Sequence, residues 1–498
     1  MTFGRLLAAI GCECPKELQG REASGIFTDS AKVKKNGIFV CIRGARNDGH
    51  DHVGQAIKAG ADVIVAENVR GMREGGAALT LVNNTRLCAS LLYNEWYDRP
   101  SDEMKIIGIT GTNGKTSVAS MLKAIFEASG YSCALIGTLG VFCGDERING
   151  TELSAKNLTT PEPDELYAYL AQMKRRGVEF VFMEVSSHAL SQCRTAAIEF
   201  DCAVFTNLSA EHLDFHGDME SYYAAKEILF KQSRRAVVNA DDSAGKRLVD
   251  LLKTREIEHL SCSRYEGDFC ALHDLQNADF GIEYLLKTHN CEHRVCLPNF
   301  VGEFQISNSL QAIATASLYG IDVKIAAEAL SKMSTVCGRL ERVKASEGQD
   351  IDIFIDYAHT PDALERVLKS LRASKPNNSR LVLLFGCGGD RDRGKRREMG
   401  QIATRLADMV IITSDNSRSE DPNAIISDIL KGTDKEKECA IIVDRREAIE
   451  RAIKEYTKKG DILLLAGKGH ERYEISFDGV RAFDEKEIIR EVYQDLYR

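Results

Sequence analysis

The sequence predicts an α/β protein built from three consecutive domains, 1–104, 105–337 and 338–498. Three observations carry that expectation. At 498 residues the chain exceeds what one hydrophobic core ordinarily holds, and length alone suggests about three domains. Apolar runs with strand character alternate with stretches of helical period, the pattern of largely parallel sheets. At Lys105 a buried strand, a glycine-rich turn and a helix follow one another, the geometry in which backbone N–H groups and the helix dipole receive a phosphate.

Composition narrows the class. Hydrophobic residues make up 44% and charged residues 28%, which fits a soluble globular protein. No apolar run is long enough to cross a bilayer, and Met1 to Ile10 reads as a first helix rather than a signal peptide. A net charge of -9 argues against general nucleic-acid binding but leaves room for a local anion site. Fifteen cysteines, an odd number with no C-x-x-C pair, read as free thiols in a reducing cytoplasm.

In the first unit, Ile26 to Thr28 and Ile38 to Ile42 read as strands around the polar turn Lys34 to Gly37. Val53 to Ala59 reads as a helix and Asp62 to Ala66 as another strand. Asp29, Ser30 and the loop Gly44 to Gly49 sit at strand ends, where α/β folds bind small ligands; as turn chemistry they need none. The polar stretch Asp98 to Glu103 reads as a linker.

The second unit opens with the strand at Lys105, glycines at 108, 111 and 114, and then Lys115 and Thr116. Val118, Met121, Leu122, Ile125 and Phe126 mark one face of the following helix, and Gly130 its stop. The usual phosphate-loop pattern, G-x-x-x-x-G-K-[ST], is modified: five residues separate Gly108 from Gly114, and Ile109 stands where the pattern expects glycine. A glycine turn with a chance Lys-Thr is the plainer alternative. As a triphosphate site, Lys115 would neutralise the outer phosphates and the Thr116 hydroxyl would ligate magnesium.

Downstream, a polar turn at 157–163 enters the helix Asp164 to Arg175, and the strand Val178 to Met183 ends at Glu184. An acid placed there is either magnesium-directed or simply solvated. The strand Ala203 to Thr206 precedes His212, Asp214 and His216, by themselves a weak metal set. A helix from about Met219 carries Lys226, a residue type usually solvated there. Ala236 to Asp242 is a strand and turn, Asn308 opens an apolar helix, and Ala326 to Met333 forms another.

The third unit carries strands at Ile351 to Tyr357, Leu381 to Phe385, Met409 to Thr413 and Asp461 to Ala466, and a helix containing Leu364 to Leu371. The last three strands run into polar loops at one carboxyl edge, where ligands bind. Gly386 and Gly388 hint at a dinucleotide motif that fails at Arg391. Arg391 and Arg418 point instead to carboxylate recognition, or to a solvated basic loop.

Thr110-Gly-Thr-Asn-Gly-Lys-Thr116, Glu184-Val-Ser-Ser-His188, Asn207-Leu-Ser, His212-Leu-Asp214, Ala225-Lys226, Asn239-Ala-Asp-Asp242 and Asp356-Tyr-Ala-His-Thr360 together resemble the Mur ligases, in order over nearly the whole chain. Arg391, the loop Asp415 to Arg418 and Gly467-Lys-Gly-His-Glu471 narrow the resemblance to the branch that adds the third residue of the peptidoglycan stem peptide. The modified glycine spacing is that family's own form.

The resemblance implies a UDP-binding first domain, a central ATPase and a Rossmann-like third domain that receives the amino acid. It implies ATP-dependent amide formation, through an acyl phosphate, between UDP-MurNAc-L-Ala-D-Glu and an incoming amine, with ATP and Mg2+ required. Gly111, Thr112, Asn113, Gly114, Lys115 and Thr116 would hold the triphosphate, with Asn308, Arg339 and Asp356 further along the nucleotide. Glu184 and His212 match metal-ligand positions, and Lys226 matches a lysine that becomes a carbamate. Thr159, Thr160, Ser186, Gln192 and Arg194 match the muramoyl-peptide side, and Ser30, Ala45, Arg46 and Asn47 the uridine side. Arg391, Asp415, Asn416, Ser417, Arg418, Gly467 and Glu471 match the amino-acid site.

Diaminopimelate-adding members carry Asp-Asn-Pro-Arg, and here Ser417 replaces the proline while Arg418 is kept. An arginine suits a distal carboxylate and not the ammonium of L-lysine, so meso-diaminopimelate is expected. L-lysine addition, a folylpolyglutamate-synthetase-like ligase and a nucleotide-gated binding protein are the alternatives. A cytoplasmic monomer without nucleic-acid or membrane partners completes the expectation.

Overall fold

The computed structural model describes residues 1–44, 47–68, 76–150, 158–276, 280–376 and 378–496. Near the N-terminus, the strands Gly25–Phe27, Gly37–Val40, Ala61–Ala66 and Ala78–Leu81 pair in parallel in that order. Alternation decides which face each residue takes. Ile38, Val40, Val63 and Val65 pack against the helices Phe3–Ala9 and Thr85–Trp96, while Phe39, Ile64 and Ala66 face the helix Val53–Ala59. The strand Ala78–Leu81 and the helix Thr85–Trp96 were not legible, because neither carries a strong apolar period. The polar stretch after them is a packed 3-10 turn, Pro100–Glu103, with Pro100 and Ser101 buried.

A sheet of eleven strands follows. Its middle is parallel: Lys105–Thr110 lies between Phe180–Glu184 and Cys202–Phe205, with Cys133–Gly137 outside the former and Arg235–Asn239 and Glu258–Ser263 outside the latter. Ile107 and Ile109 pack under Val118, Leu122 and Phe126 of the helix Lys115–Ala128. This burial on both faces explains the continuous apolar runs. Both edges turn antiparallel, and at one of them Phe269–Gln276, Ile282–Thr288 and Glu292–Leu297 form a meander that the polar sequence concealed.

One expected boundary is corrected. The helix begins at Phe304, and Asn308 sits buried one turn inside it rather than opening it. Gly302, at φ +94°, makes the entry turn, and no Ser, Thr, Asp or Asn cap marks the start.

The third sheet runs in the order Glu341–Val343, Asp352–Asp356, Ile462–Ala466, Leu381–Phe385, Met409–Ile412, Cys439–Ile441, parallel except for its first strand. Every residue of Leu381–Phe385 and Ile462–Ala466 is buried, with a helical layer on each face. The carboxyl ends of these strands lie side by side. Among the described residues no helix is long and apolar enough to cross a membrane, and the fifteen cysteines are free.

Candidate active site

The phosphate loop joins the middle strand of the large sheet to the helix Lys115–Ala128. Gly111 and Gly114 have φ of +147° and +87°; a Cβ would stand 1.9 Å from Thr206 Oγ1 at the first and 2.6 Å from Asn308 Oδ1 at the second. Both positions therefore demand glycine. The next strand end laces the loop in place. The Thr112 N–H donates to the Asn207 carbonyl at 2.8 Å, the Asn113 N–H to Asn207 Oδ1 at 2.9 Å, and Asn207 Nδ2 back to the Asn113 carbonyl at 3.1 Å.

Two amines converge on this loop. Lys115 Nζ donates to the carbonyls of Gly111 (2.9 Å) and Thr112 (2.8 Å), and Lys226 Nζ donates to the same Gly111 carbonyl at 2.9 Å. The lysine expected to be solvated is buried on the inner face of the helix Met219–Lys231, 4.4 Å from the Tyr222 ring centroid. Burial, and then the charge of Lys115, hold Lys226 well below its ordinary range against the opposing pull of Glu211. Lys115 is also lowered by burial, with Glu211 and Glu184 opposing.

Glu184, fully buried, ends its strand beside these amines. Its Oε2 accepts from Thr116 Oγ1 (3.0 Å) and Thr138 Oγ1 (3.1 Å), and its Oε1 from the Thr138 N–H (2.9 Å). His212, at φ +58°, caps the short helix Leu213–His216, and its ring lies 4.7 Å from that of His188. The neighbouring Glu211 escaped the sequence reading, although it stands next to His212. Burial pushes its carboxyl up, but His212, His359, Lys115 and Lys226 outweigh this and lower it.

Among the described residues no three His, Cys, Asp or Glu side chains gather closely enough to hold a metal ion. Glu184 and the Thr116 hydroxyl offer the oxygen donors magnesium prefers, and His212 a nitrogen. An unmodified Lys226 amine adds no oxygen, whereas a carbamate on it would. The donor set fits magnesium in that modified form.

Glu184, His212 and the loop line one side of a cavity of about 500 Å³, with Asn308 beside Gly114; Arg339, Asp356 and Arg366 of the third unit line the other. Arg339 Nη2 donates to Thr116 Oγ1 at 3.1 Å, and its guanidinium lies 4.7 Å from the Tyr357 ring centroid. Asp356 accepts the N–H groups of Leu340 (2.6 Å) and Ala358 (2.7 Å), and burial pushes its carboxyl up to about 6 despite Arg339.

A second cavity, about 720 Å³, opens between the first and second units; Ser30, Asn47, Gln192 and Arg194 line it, and so does Arg86, which the sequence reading missed. Ala45 and Arg46 fall outside the described residues. Ser30 Oγ donates to Gln55 Oε1 at 3.0 Å. The Arg194 fork donates to the Thr160 carbonyl (2.8 Å) and to Gln192 Oε1 (2.7 Å). Thr160 Oγ1 in turn donates to the Glu184 carbonyl at 2.9 Å and accepts the Ser186 N–H at 3.0 Å, and Thr159 Oγ1 lies 3.1 Å from Thr138 Oγ1. A hydrogen-bonded thread therefore links the two cavities.

The remaining expected residues gather at the carboxyl edge of the third sheet. Asn416 Nδ2 donates to Glu471 Oε2 at 2.7 Å, and Asn416 Oδ1 accepts from the Ile475 N–H (2.9 Å) and from Lys468 Nζ (3.1 Å). Lys468, fully buried and not singled out from sequence, also stands 3.6 Å from Asp415 Oδ1. Burial pushes Asp415 up, but Lys468 and Arg445 hold it low; burial and then Asp415 raise Glu471. Gly467, at φ +114°, lies against Asp415 Oδ2, and the Ser417 carbonyl packs on Gly389.

Arg418, itself at φ +52°, donates to the carbonyls of Gly389 (2.9 Å) and Asn416 (3.2 Å). Arg391 is exposed and donates to its neighbour's carbonyl, Asp390 O, at 3.3 Å. Both arginines border Gly388, where a Cβ would meet Arg418 Nη1 at 2.9 Å and Arg391 Cγ at 3.8 Å.

Three family models match the chain: "Mur ligase family, catalytic domain" over residues 22–83, "Mur ligase middle domain" over 109–316 and "Mur ligase, glutamate ligase domain" over 338–469. The chain is 40% identical over 476 residues to UDP-N-acetylmuramoyl-L-alanyl-D-glutamate–2,6-diaminopimelate ligase 1 of Clostridium acetobutylicum, covering 96% of each. It is 37% identical over 498 residues to the Clostridium perfringens enzyme of the same description, covering 99% of this chain and 100% of that one. A solved structure of a UDP-N-acetylmuramoyl-L-alanyl-D-glutamate–2,6-diaminopimelate ligase superposes over 100% of both chains with a TM-score of 0.71 at 29% identity. The MurF ligase of Thermotoga maritima in complex with ADP shares the fold, with a TM-score of 0.60 at 20% identity over 89% of this chain and 94% of that one.

Proposed function

The chain belongs to the Mur ligase family and is a ligase adding diaminopimelate to UDP-MurNAc-L-Ala-D-Glu, and we propose how its own residues do so. Residues 1–104 take the UDP end of the acceptor, 105–337 take ATP, and 338–498 take the incoming amino acid, its meso isomer. The observation that carries this reading is a pairing of opposites. Two buried amines face the phosphate loop, while two carboxylates and two arginines share the edge of the third sheet. At the loop, Lys115 suits a polyphosphate, while the Lys226 amine, whose charge burial disfavours, suits uptake of carbon dioxide; the sheet edge suits a substrate bearing ammonium and carboxylate groups at both ends.

A carboxylate is a poor electrophile, so the γ-phosphoryl group of ATP is first transferred to the D-glutamate side chain. Lys115 leaves the loop carbonyls to meet the β- and γ-phosphates, and the loop N–H groups and Arg339 spread the charge that develops. Glu184, His212, Thr116 and a carbamate on Lys226 would hold magnesium, which would add further neutralisation of the phosphates. The depressed Lys226 amine supports the carbamate, because only a neutral amine adds carbon dioxide. Arg194 with Thr160 positions the acceptor peptide. Asp415 and Glu471 orient the ammonium groups of the amino acid, and Arg418 with Arg391 grips its distal carboxylate. One amine, after giving up its proton to water, then attacks the acyl carbon; the C–N bond forms, the C–O bond to phosphate breaks, and inorganic phosphate leaves.

No membrane or nucleic-acid partner is needed, and we place the enzyme in the cytoplasm as a monomer, since one chain supplies both cavities. The test is ADP release from ATP with UDP-MurNAc-L-Ala-D-Glu and meso-diaminopimelate. Turnover is expected only with all three present; equal turnover with L-lysine would overturn the substrate assignment.

A further inference from the structure

Asp362 lies in the first turn of the helix Pro361–Ser374, whose cap is Thr360. Its Oδ2 accepts from three donors: Asn113 Nδ2 at 3.0 Å, Ser209 Oγ at 3.0 Å and Arg366 Nη2 at 3.1 Å. Asn113 belongs to the phosphate loop, and Ser209 leads into Glu211 and His212. These two segments are themselves tied, the Ser209 N–H donating to Thr112 Oγ1 at 3.0 Å and Thr112 Oγ1 to the Ser209 carbonyl at 3.2 Å. One carboxylate of the third unit therefore reaches across to both catalytic loops of the second. Arg366, one turn further along the same helix, borders the nucleotide cavity.

A carboxylate aimed at a phosphate loop is electrostatically costly once phosphates arrive, unless a cation shares it. Arg366 is that cation, placed between Asp362 and the nucleotide space. We propose that Asp362, shared with Arg366, is a positioning residue: a latch between units that holds the phosphate loop and the His212 loop in working register when the third unit is docked on the nucleotide. The latch rests on reading the cavity as a nucleotide site. It touches no reacting atom, and it acts through Asn113 and Ser209. Nucleotide contact with Arg366 and docking of the third unit are then one event.

The test compares full-length wild type, Asp362→Ala and Asp362→Asn. ADP with magnesium and UDP-MurNAc-L-Ala-D-Glu serve as ligands, calorimetry reads ADP affinity, small-angle scattering reads compaction, and turnover gives kcat. Losing two hydrogen bonds from the docked state alone should cost Asp362→Ala about tenfold in the nucleotide concentration needed for compaction, and about tenfold in kcat. Asp362→Asn keeps an acceptor oxygen and should recover most of both. An alanine variant that compacts and turns over like wild type overturns the latch, and so does an asparagine variant as impaired as alanine. A gain in kcat also overturns it, since the carboxylate would then be holding the loop donors away from the phosphates. If wild type binds no ADP, the nucleotide reading itself falls, and the latch with it.

Discussion

The phosphate loop and the carboxyl edge of the third sheet are both rich in buried charge, but they hold it in opposite ways. At the phosphate loop, Lys115 and Lys226 donate their hydrogen bonds to backbone carbonyls, and burial lowers both. That arrangement is completed by anions arriving from outside. At the third sheet's edge, Asp415, Asn416, Lys468 and Glu471 already satisfy one another. Only the arginines around Gly388 depart from that closed network: Arg391 is exposed, and Arg418 spends its guanidinium on backbone carbonyls. The first site is completed by its ligands, the phosphates at Lys115 and carbon dioxide at Lys226; the second sorts ligands by shape against a frame assembled in advance. Catalytic power should therefore be concentrated at the loop and selectivity at the edge.

Substitutions should separate the two. The largest effect is expected for Lys226→Ala, which would remove the proposed carbamate: turnover should fall at least about a hundredfold, with partial rescue by a short carboxylic acid in the buffer. Full activity in that variant would rule out the carbamate role and make the loop site as self-contained as the edge. Arg418→Ala should raise the KM for diaminopimelate by about ten- to a hundredfold, while leaving that for ATP within about twofold. An unchanged KM for diaminopimelate would remove the carboxylate clamp, and with it the claim that selectivity sits at the edge.

The smallest effect concerns stability. Burial, helped by cationic neighbours, holds His188 near the first site down to about 4 and His470 near the second to about 3. Both folded values lie below the unfolded value of 6.5, so the stability they contribute is complete above 6.5 and is lost as pH falls through 6.5 towards 4. His470, the more deeply buried of the two, should carry most of the effect, because solvent screens the partly exposed His188. Urea midpoints at pH 7.5, 6 and 5 should fall in step, and His470→Gln should flatten the slope. An unaltered slope in that variant would assign the acid sensitivity to the phosphate-loop side.

The same contrast explains what the sequence disclosed. The loop and Glu184 were legible because each ends a strand buried on both faces, and a short apolar run announces its own end. Lys226 and its partner carbonyl are a different matter. Nothing along the helix Met219–Lys231 says that this lysine faces inward onto Gly111; only the resemblance singled it out, and only the packing of helix on loop buries it. Glu211 and Lys468 were passed over for the same reason, since a charged residue's neighbours are set by tertiary approach and not by spacing. The helix at Phe304 started a turn early because it has no side-chain cap to read. The meander of Phe269–Gln276, Ile282–Thr288 and Glu292–Leu297 stayed hidden because these strands carry neither a long apolar run nor a clean alternation of polar and apolar residues.

The position of Lys105–Thr110 at the middle of the large sheet also governs how the protein is made. Its hydrogen-bonding neighbours, Phe180–Glu184 and Cys202–Phe205, lie far downstream. On the ribosome this apolar strand emerges before either partner exists, and it waits unpaired while the residues between them are translated. The phosphate loop therefore takes shape only after residue 206 has been added, so nucleotide cannot guide the early collapse of the chain. A chain released before that point exposes a bare, strongly apolar strand, the kind of species that aggregates or is degraded.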